Sequence, residues 1–85
     1  MAYAIEFVPS ARRELHKLPR EVQLKLSQHI GSLSLDPHPI GSRKLKGSDE
    51  LWRIRVGDYR VIYAIQDKIL VVLVVRVAHR REVYR

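Results

Sequence analysis

Cysteine is absent from the 85 residues, which removes disulfide staples, thiolate metal sites and cysteine nucleophiles together and fits a reducing cytosol. Stability must come from packing. Long apolar runs are also missing: the longest, Ile69 to Val75, is far short of the ~20 residues a spanning helix needs. With 29% charged residues, a membrane protein is not expected. Met1 to Phe7 alternates small, aromatic and acidic residues, unlike the basic-then-apolar order of a secretory leader, so a cytoplasmic chain is expected. The histidines His16, His29, His38 and His79 show no metal-ligand spacing, and the carboxylates are scattered, so no metal is expected. Paired carboxylates, a nucleophile elbow and a phosphate-cradling glycine loop are lacking too, and no cofactor is expected. There is no repeat and no low-complexity stretch.

What is present in excess is positive charge. The formal net charge is +7, unevenly spread: residues 1–42 carry five Lys/Arg against four Asp/Glu, and residues 43–85 carry eleven against five. A cationic second half favours polyanions, with nucleic acid first and an acidic protein partner second. The plainer alternative is a basic surface that serves only solubility. A chain of this length buries only about 60–65% of its unfolded surface, so a single domain over residues 1–85 is expected.

Alternation over Tyr3 to Val8 predicts a first strand, ended by Pro9 and Ser10. Ser10 is a candidate N-cap for a short helix through Lys17, and Pro19 suits the first turn of a second helix. There Val22, Leu26, Ile30 and Leu33 recur at helical spacing as a core-facing stripe. Leu15 and Leu18 are expected to meet this stripe or its neighbours Leu24 and Ile30. The prolines of Asp36-Pro37-His38-Pro39 cannot continue a helix and mark the linker to the second half. Beyond Gly41 the text turns β-rich, with strands predicted at Arg43 to Lys46, Leu51 to Val56, Tyr59 to Ile65 and Ile69 to Val77. Apolar residues at both parities make the last of these a central strand.

If Gly57-Asp58 is a two-residue turn, Val56 opposes Tyr59, Arg55 opposes Arg60, Ile54 opposes Val61 and Trp52 opposes Tyr63. One face is then apolar and meets the helices; the other holds Arg53, Arg55, Arg60 and Ile62. Opposed like charges cost a few tenths to about 1 kcal/mol, a cost that an anion relieves, and guanidinium forks match phosphate oxygens. The alternative is that the arginines splay into solvent, with Asp58 or Glu50 bridging them. Further on, Arg76, His79, Arg80, Arg81, Tyr84 and Arg85 follow one another, with His79 and Arg80 expected on a turn and Tyr84 on a short last strand. Metal-free RNA cleavage needs a proton taken from the 2′-hydroxyl, one given to the leaving oxygen, and neutralised phosphorane charge. His79, Arg80 and the three sheet arginines are candidates to divide these tasks, and Tyr84 is a candidate to stack on a base.

The run RKLKGSDELWRIRVGDYRVIYAI, then a valine-rich strand and RVAHRREVY, resembles the RelE/ParE superfamily of toxin–antitoxin toxins over essentially the whole chain. The rhythm F-x-x-x-A-x-x-E-L-x-K-L, here Phe7 to Leu18, resembles the same family. The resemblance implies an α+β fold: an N-terminal strand, a two-helix hairpin, then a curved antiparallel sheet of about four strands. It implies an endoribonuclease of the RelE type that enters the ribosomal A site, cuts messenger RNA by 2′-hydroxyl attack without metal, and is held inactive by a cognate antitoxin. The antitoxin is expected to bring an acidic segment that folds on binding. The family's basic positions fall on Arg53, Arg55, Arg60 and Arg80, and its terminal tyrosine on Tyr84. Arg43, Lys44, Lys46, Arg76, Arg81 and Arg85 are the expected contacts to RNA or ribosome.

One departure bears on mechanism. Lysine at the first two of these positions can accept a proton, whereas arginine is a poor acceptor. The general base is left open between His79, whose unperturbed pKa near ~6.5 suits proton transfer, and Lys44 or Lys46. Two other readings stand beside cleavage: a ParE-like inhibitor of DNA gyrase that cuts nothing, and an inactive basic RNA-binding module.

Overall fold

The computed structural model describes residues 2–83. Strand β1 (Ala4–Phe7) gives way to helix α1 (Pro9–His16) at a proline, whose fixed φ and missing amide hydrogen suit a first helical turn. Val8, extended at φ −68° and ψ 150°, occupies the N-cap position. Ser10, expected as the cap, therefore lies inside the helix. Pro19 in turn is the N-cap of α2 (Arg20–Ser32). Between the two helices the Gln23 amide donates to the carbonyls of Leu18 at 2.7 Å and His16 at 3.1 Å, satisfying acceptors that a helix end leaves open.

Five strands form one sheet in the order β1-β5-β4-β3-β2: β2 (Arg43–Lys44), β3 (Leu51–Val56), β4 (Tyr59–Gln66) and β5 (Val71–His79) complete it. Neighbours from β5 to β2 run antiparallel, while β1 lies parallel to β5, from Ala4↔Val71 to Phe7↔Val74. The sheet is therefore mixed, with one more strand than the antiparallel run alone, and β5 is internal as its double-sided apolar pattern requires. It begins two residues later than expected, because Asp67 to Leu70 make a turn in which Leu70 takes a left-handed φ of 54°. It also ends two residues later, at His79.

Gly57 has φ 60°, the left-handed geometry that a two-residue hairpin loop demands. The expected register follows: Val56↔Tyr59, Arg55↔Arg60, Ile54↔Val61 and Trp52↔Tyr63. Ala11 and Leu15 of α1, with Leu26 and Ile30 of α2 and then Leu33, pack with Ile54, Val56, Val61, Tyr63, Val72, Val74 and Val77 as one core. Leu24, named as a possible partner within the hairpin, is instead 55% exposed. The Tyr63 hydroxyl donates to the Pro37 carbonyl at 2.8 Å and pins the linker to the sheet. At the sheet's edge Tyr3 N–H donates to the Ser34 carbonyl, and Ser34 Oγ to the Tyr3 carbonyl.

Two departures matter for function. The β4–β5 register slips between Ile62↔Arg76 and Tyr63↔Val74, so Val75 is an extra residue, a β-bulge that inverts the facing of all that follows it. Beyond β5 comes a helical turn, α3 (Arg80–Val83); the short last strand expected to carry Tyr84 lies outside the described residues. Among the described residues no helix is long and apolar enough to cross a membrane.

Candidate nucleic-acid interface

Because alternate residues of a strand point to opposite sides, and Trp52, Ile54, Val56, Tyr59, Val61 and Tyr63 meet the helices, the residues between them face away. Arg53, Arg55, Arg60 and Ile62 thus share the side free of α1 and α2. Across the sheet one row runs Arg43, Arg53, Ile62, Arg76, and the next Arg55, Arg60, Ala78. Two like-charged pairs oppose each other directly, Arg43↔Arg53 and Arg55↔Arg60.

The face is stepped rather than uniformly open. Arg55 is exposed, Arg53 half-buried, and Arg60 only 4% exposed, beside Ala78 and Ile62, which are also buried. A fully exposed cationic surface, as expected from the sequence, is thus corrected to a face on which Arg43 and Arg55 are exposed and Arg60 is buried. The Arg60 Nη1 donates to the Tyr59 carbonyl at 3.4 Å. Arg53 Nη1 is enclosed and has no hydrogen-bond partner among the described residues, a condition that costs about 1–3 kcal/mol unless an acceptor arrives. With Arg60 buried, the alternative in which both opposed arginines splay into solvent is not realised.

The bulge decides which of the later residues join this face. Arg76 pairs with Ile62 and belongs to it, whereas His79 pairs with Tyr59 on the helix-covered side, its ring set edge-on to Tyr59 at 5.4 Å between centroids. His79 is therefore separated from the arginines that were expected to share its chemistry. Its Nδ1 accepts the Arg81 N–H at 3.3 Å. Lys44 pairs with Trp52 and also lies on the helix side, while Lys46 is exposed in the loop after β2. The Arg80 N–H donates to the Asp58 carbonyl at 2.7 Å, tying the start of α3 to the hairpin turn, at the end of the sheet where the Arg55–Arg60 row lies. Arg80 and Arg81 are exposed there. Tyr84 and Arg85 lie outside the described residues.

One contributor went unnoticed in the sequence. Glu14 of α1 accepts the Val77 N–H through Oε1 at 2.9 Å and approaches Arg76 Nε through Oε2 at 3.7 Å. The signal available was an arginine placed where the Val72, Val74 alternation would put a core residue. Two tyrosines have raised pKa values, and both act as structural pins. Burial, chiefly, pushes the Tyr63 phenol up to about 12, and a hydrogen bond to Asp67 raises that of Tyr3. Among the described residues no group of His, Asp or Glu is arranged to hold a metal ion. The chemistry on offer is anion binding by forked, delocalised cations.

Residues 5–84 match the family described as the ParE toxin of type II toxin-antitoxin system, parDE. Toxin RelG of Mycobacterium tuberculosis is 37% identical over 89 residues, covering 100% of this chain and 99% of that protein. The mRNA interferase toxin RelE of Escherichia coli strain K12 is 32% identical over 88 residues, covering 99% and 92%. Among solved structures, the toxin–antitoxin complex RelBE2 from M. tuberculosis matches with a TM-score of 0.82 and 32% identity, over 94% of this chain and 100% of the matched one.

Proposed function

The chain belongs to the RelE/ParE superfamily of type II toxin–antitoxin toxins, and from that premise we propose that it cuts messenger RNA in the ribosomal A site. The reading rests on one observation above all: two opposed guanidinium pairs on the face free of α1 and α2, one of them with an enclosed Nη1 that lacks an acceptor among the described residues. Phosphate oxygens relieve the like-charge repulsion and satisfy that donor at once. The likeness to an E. coli relative named an mRNA interferase supports the same choice.

In the proposed reaction a ribose 2′-oxygen attacks the adjacent phosphorus and loses its proton. The P–O5′ bond breaks, and the departing 5′-oxygen takes up a proton, leaving a 2′,3′-cyclic phosphate and a 5′-hydroxyl. Arg53, Arg55 and Arg60 hold the scissile phosphate and stabilise the charge that builds on the phosphorane, with Arg80 approaching from α3. Guanidinium is a poor proton acceptor, and His79 and Lys44 point to the other side. The arginine face therefore supplies charge stabilisation, and the proton acceptor lies outside it. Dependence on the ribosome follows: the ribosome holds the message in the in-line geometry that the arginines then exploit. Tyr84 is assigned to stack on a base beside the cut.

The partner that restrains this activity is a cognate antitoxin whose acidic segment neutralises the same face, in keeping with the likeness to a toxin–antitoxin complex. A second reading is favoured by the description of the matching family, namely a gyrase inhibitor that leaves RNA intact. In-vitro translation with primer extension on the message separates the two. Codon-positioned cuts, lowered at least about tenfold by Arg60→Ala and by Arg80→Ala in folded protein, are the expected result. Intact message together with trapped gyrase–DNA complexes would replace this reading by the second, and intact message without them would leave a basic binding module.

A further inference from the structure

The parallel ladder between β1 and β5 stops at Phe7↔Val74, so among the described residues β5 beyond the bulge has no strand beside it on that side. An open strand edge there leaves amide hydrogens without acceptors. Glu14 fills the place of the missing strand. Its Oε1 takes the Val77 N–H at 2.9 Å, one residue past Arg76, and its Oε2 lies 3.7 Å from Arg76 Nε. One carboxylate thus holds both the backbone just after the bulge and the arginine that the bulge turns toward the face free of α1 and α2.

We propose that Glu14 is a positioning residue for Arg76, fixing a bulged stretch of β5 so that this guanidinium joins the Arg43–Arg53 row as an RNA contact. Three observations converge on it. Without the extra residue at Val75, Arg76 would follow Val72 and Val74 into the core side. The approach through Nε steadies the side chain and leaves its terminal nitrogens, the fork that grips phosphate oxygens, for a ligand. Glu14 itself stands on α1, outside the arginine face, and acts on the RNA only through Arg76.

The proposal rests on the cleavage reading, and its test separates the two. Glutamine at position 14 can still accept the Val77 N–H but cannot pair with a cation. Glu14→Gln should therefore melt close to wild type yet cut ribosome-bound message about two- to fivefold more slowly, the range set by a partly exposed ion pair. Arg76→Ala should lose about tenfold, and adding Glu14→Gln to it should change nothing further. Wild-type cleavage by Glu14→Gln, or a deficit that multiplies with that of Arg76→Ala, would reduce Glu14 to a strand-edge cap and overturn the proposal. If the wild-type protein makes no cuts at all, the cleavage reading fails by itself. The same cycle, measured as affinity for a single-stranded RNA oligonucleotide, then decides: coupling between positions 14 and 76 sustains the positioning role, and independent effects remove it.

Discussion

Replacing Arg55 with alanine should make the protein more stable and bind RNA less well. Arg55 stands directly opposite Arg60, and opposed like charges cost about 0.2–1 kcal/mol. Arg55 is exposed, which screens its part of the repulsion and places the gain in the lower half of that range. In a domain of this size 1 kcal/mol moves Tm by about 4–8 °C, so a rise of about 1–4 °C is the expected result. Removing one phosphate contact should at the same time lower the slope of log K against log salt by about 0.7 for single-stranded RNA. Thermal melts by circular dichroism and fluorescence anisotropy with an RNA oligonucleotide over a salt series read the two quantities separately. The opposite signs carry the argument. A lower Tm would mean that Arg55 contributes to the fold rather than opposing it, and an unchanged salt slope would mean that it touches no phosphate; either result refutes the anion-relief reasoning.

The two faces also differ in what their charges should do. Arg43→Ala should reduce the salt slope by about 0.7, whereas Lys44→Ala, one residue on but paired with Trp52 on the helix side, should leave it unchanged; equal losses would contradict the assigned faces. For Tyr63, the folded state holds the phenol proton more tightly than the unfolded chain, with its pKa pushed up to about 12 from 10.0. Its contribution is therefore complete below about pH 10 and is lost as the pH climbs through about 12, a difference of about 2–3 kcal/mol. Tyr63→Phe should abolish that alkaline loss and cost about 1–3 kcal/mol near neutrality, because the Pro37 carbonyl loses its donor. Denaturant titrations across the alkaline range check both halves, and a mutant with wild-type alkaline behaviour would assign the loss to another group.

Local rules made much of the fold legible. The Gly57-Asp58 turn fixes the register of β3 and β4 by itself, because a two-residue loop admits one pairing, and the arginine face follows from parity. Leu26, Ile30 and Leu33 are buried as their helical spacing requires. What parity alone could not reveal is the place where parity breaks. The Val75 bulge depends on an edge that β1 leaves open and on a carboxylate from α1, neither of which is local to β5. That is why His79 was grouped with arginines that it does not join. The parallel pairing of β1 with β5 likewise has no local signature, since strands joined across the length of the chain need no turn between them. The burial of Arg60 depends on what covers the sheet's second face, which alternation along a strand does not encode. Ser10 lost the cap position to Val8 because Pro9 could itself open the helix.

The pairing of Ala4 with Val71 has a consequence for how the molecule comes into being. A nascent chain can form its helices and the β3–β4 hairpin early, but its first strand must wait for β5 to be synthesised before it gains a neighbour. Closure between such distant partners is slow relative to local folding. The finished sheet therefore assembles only after β5 has been made, and its closing step joins partners that no local turn brings together.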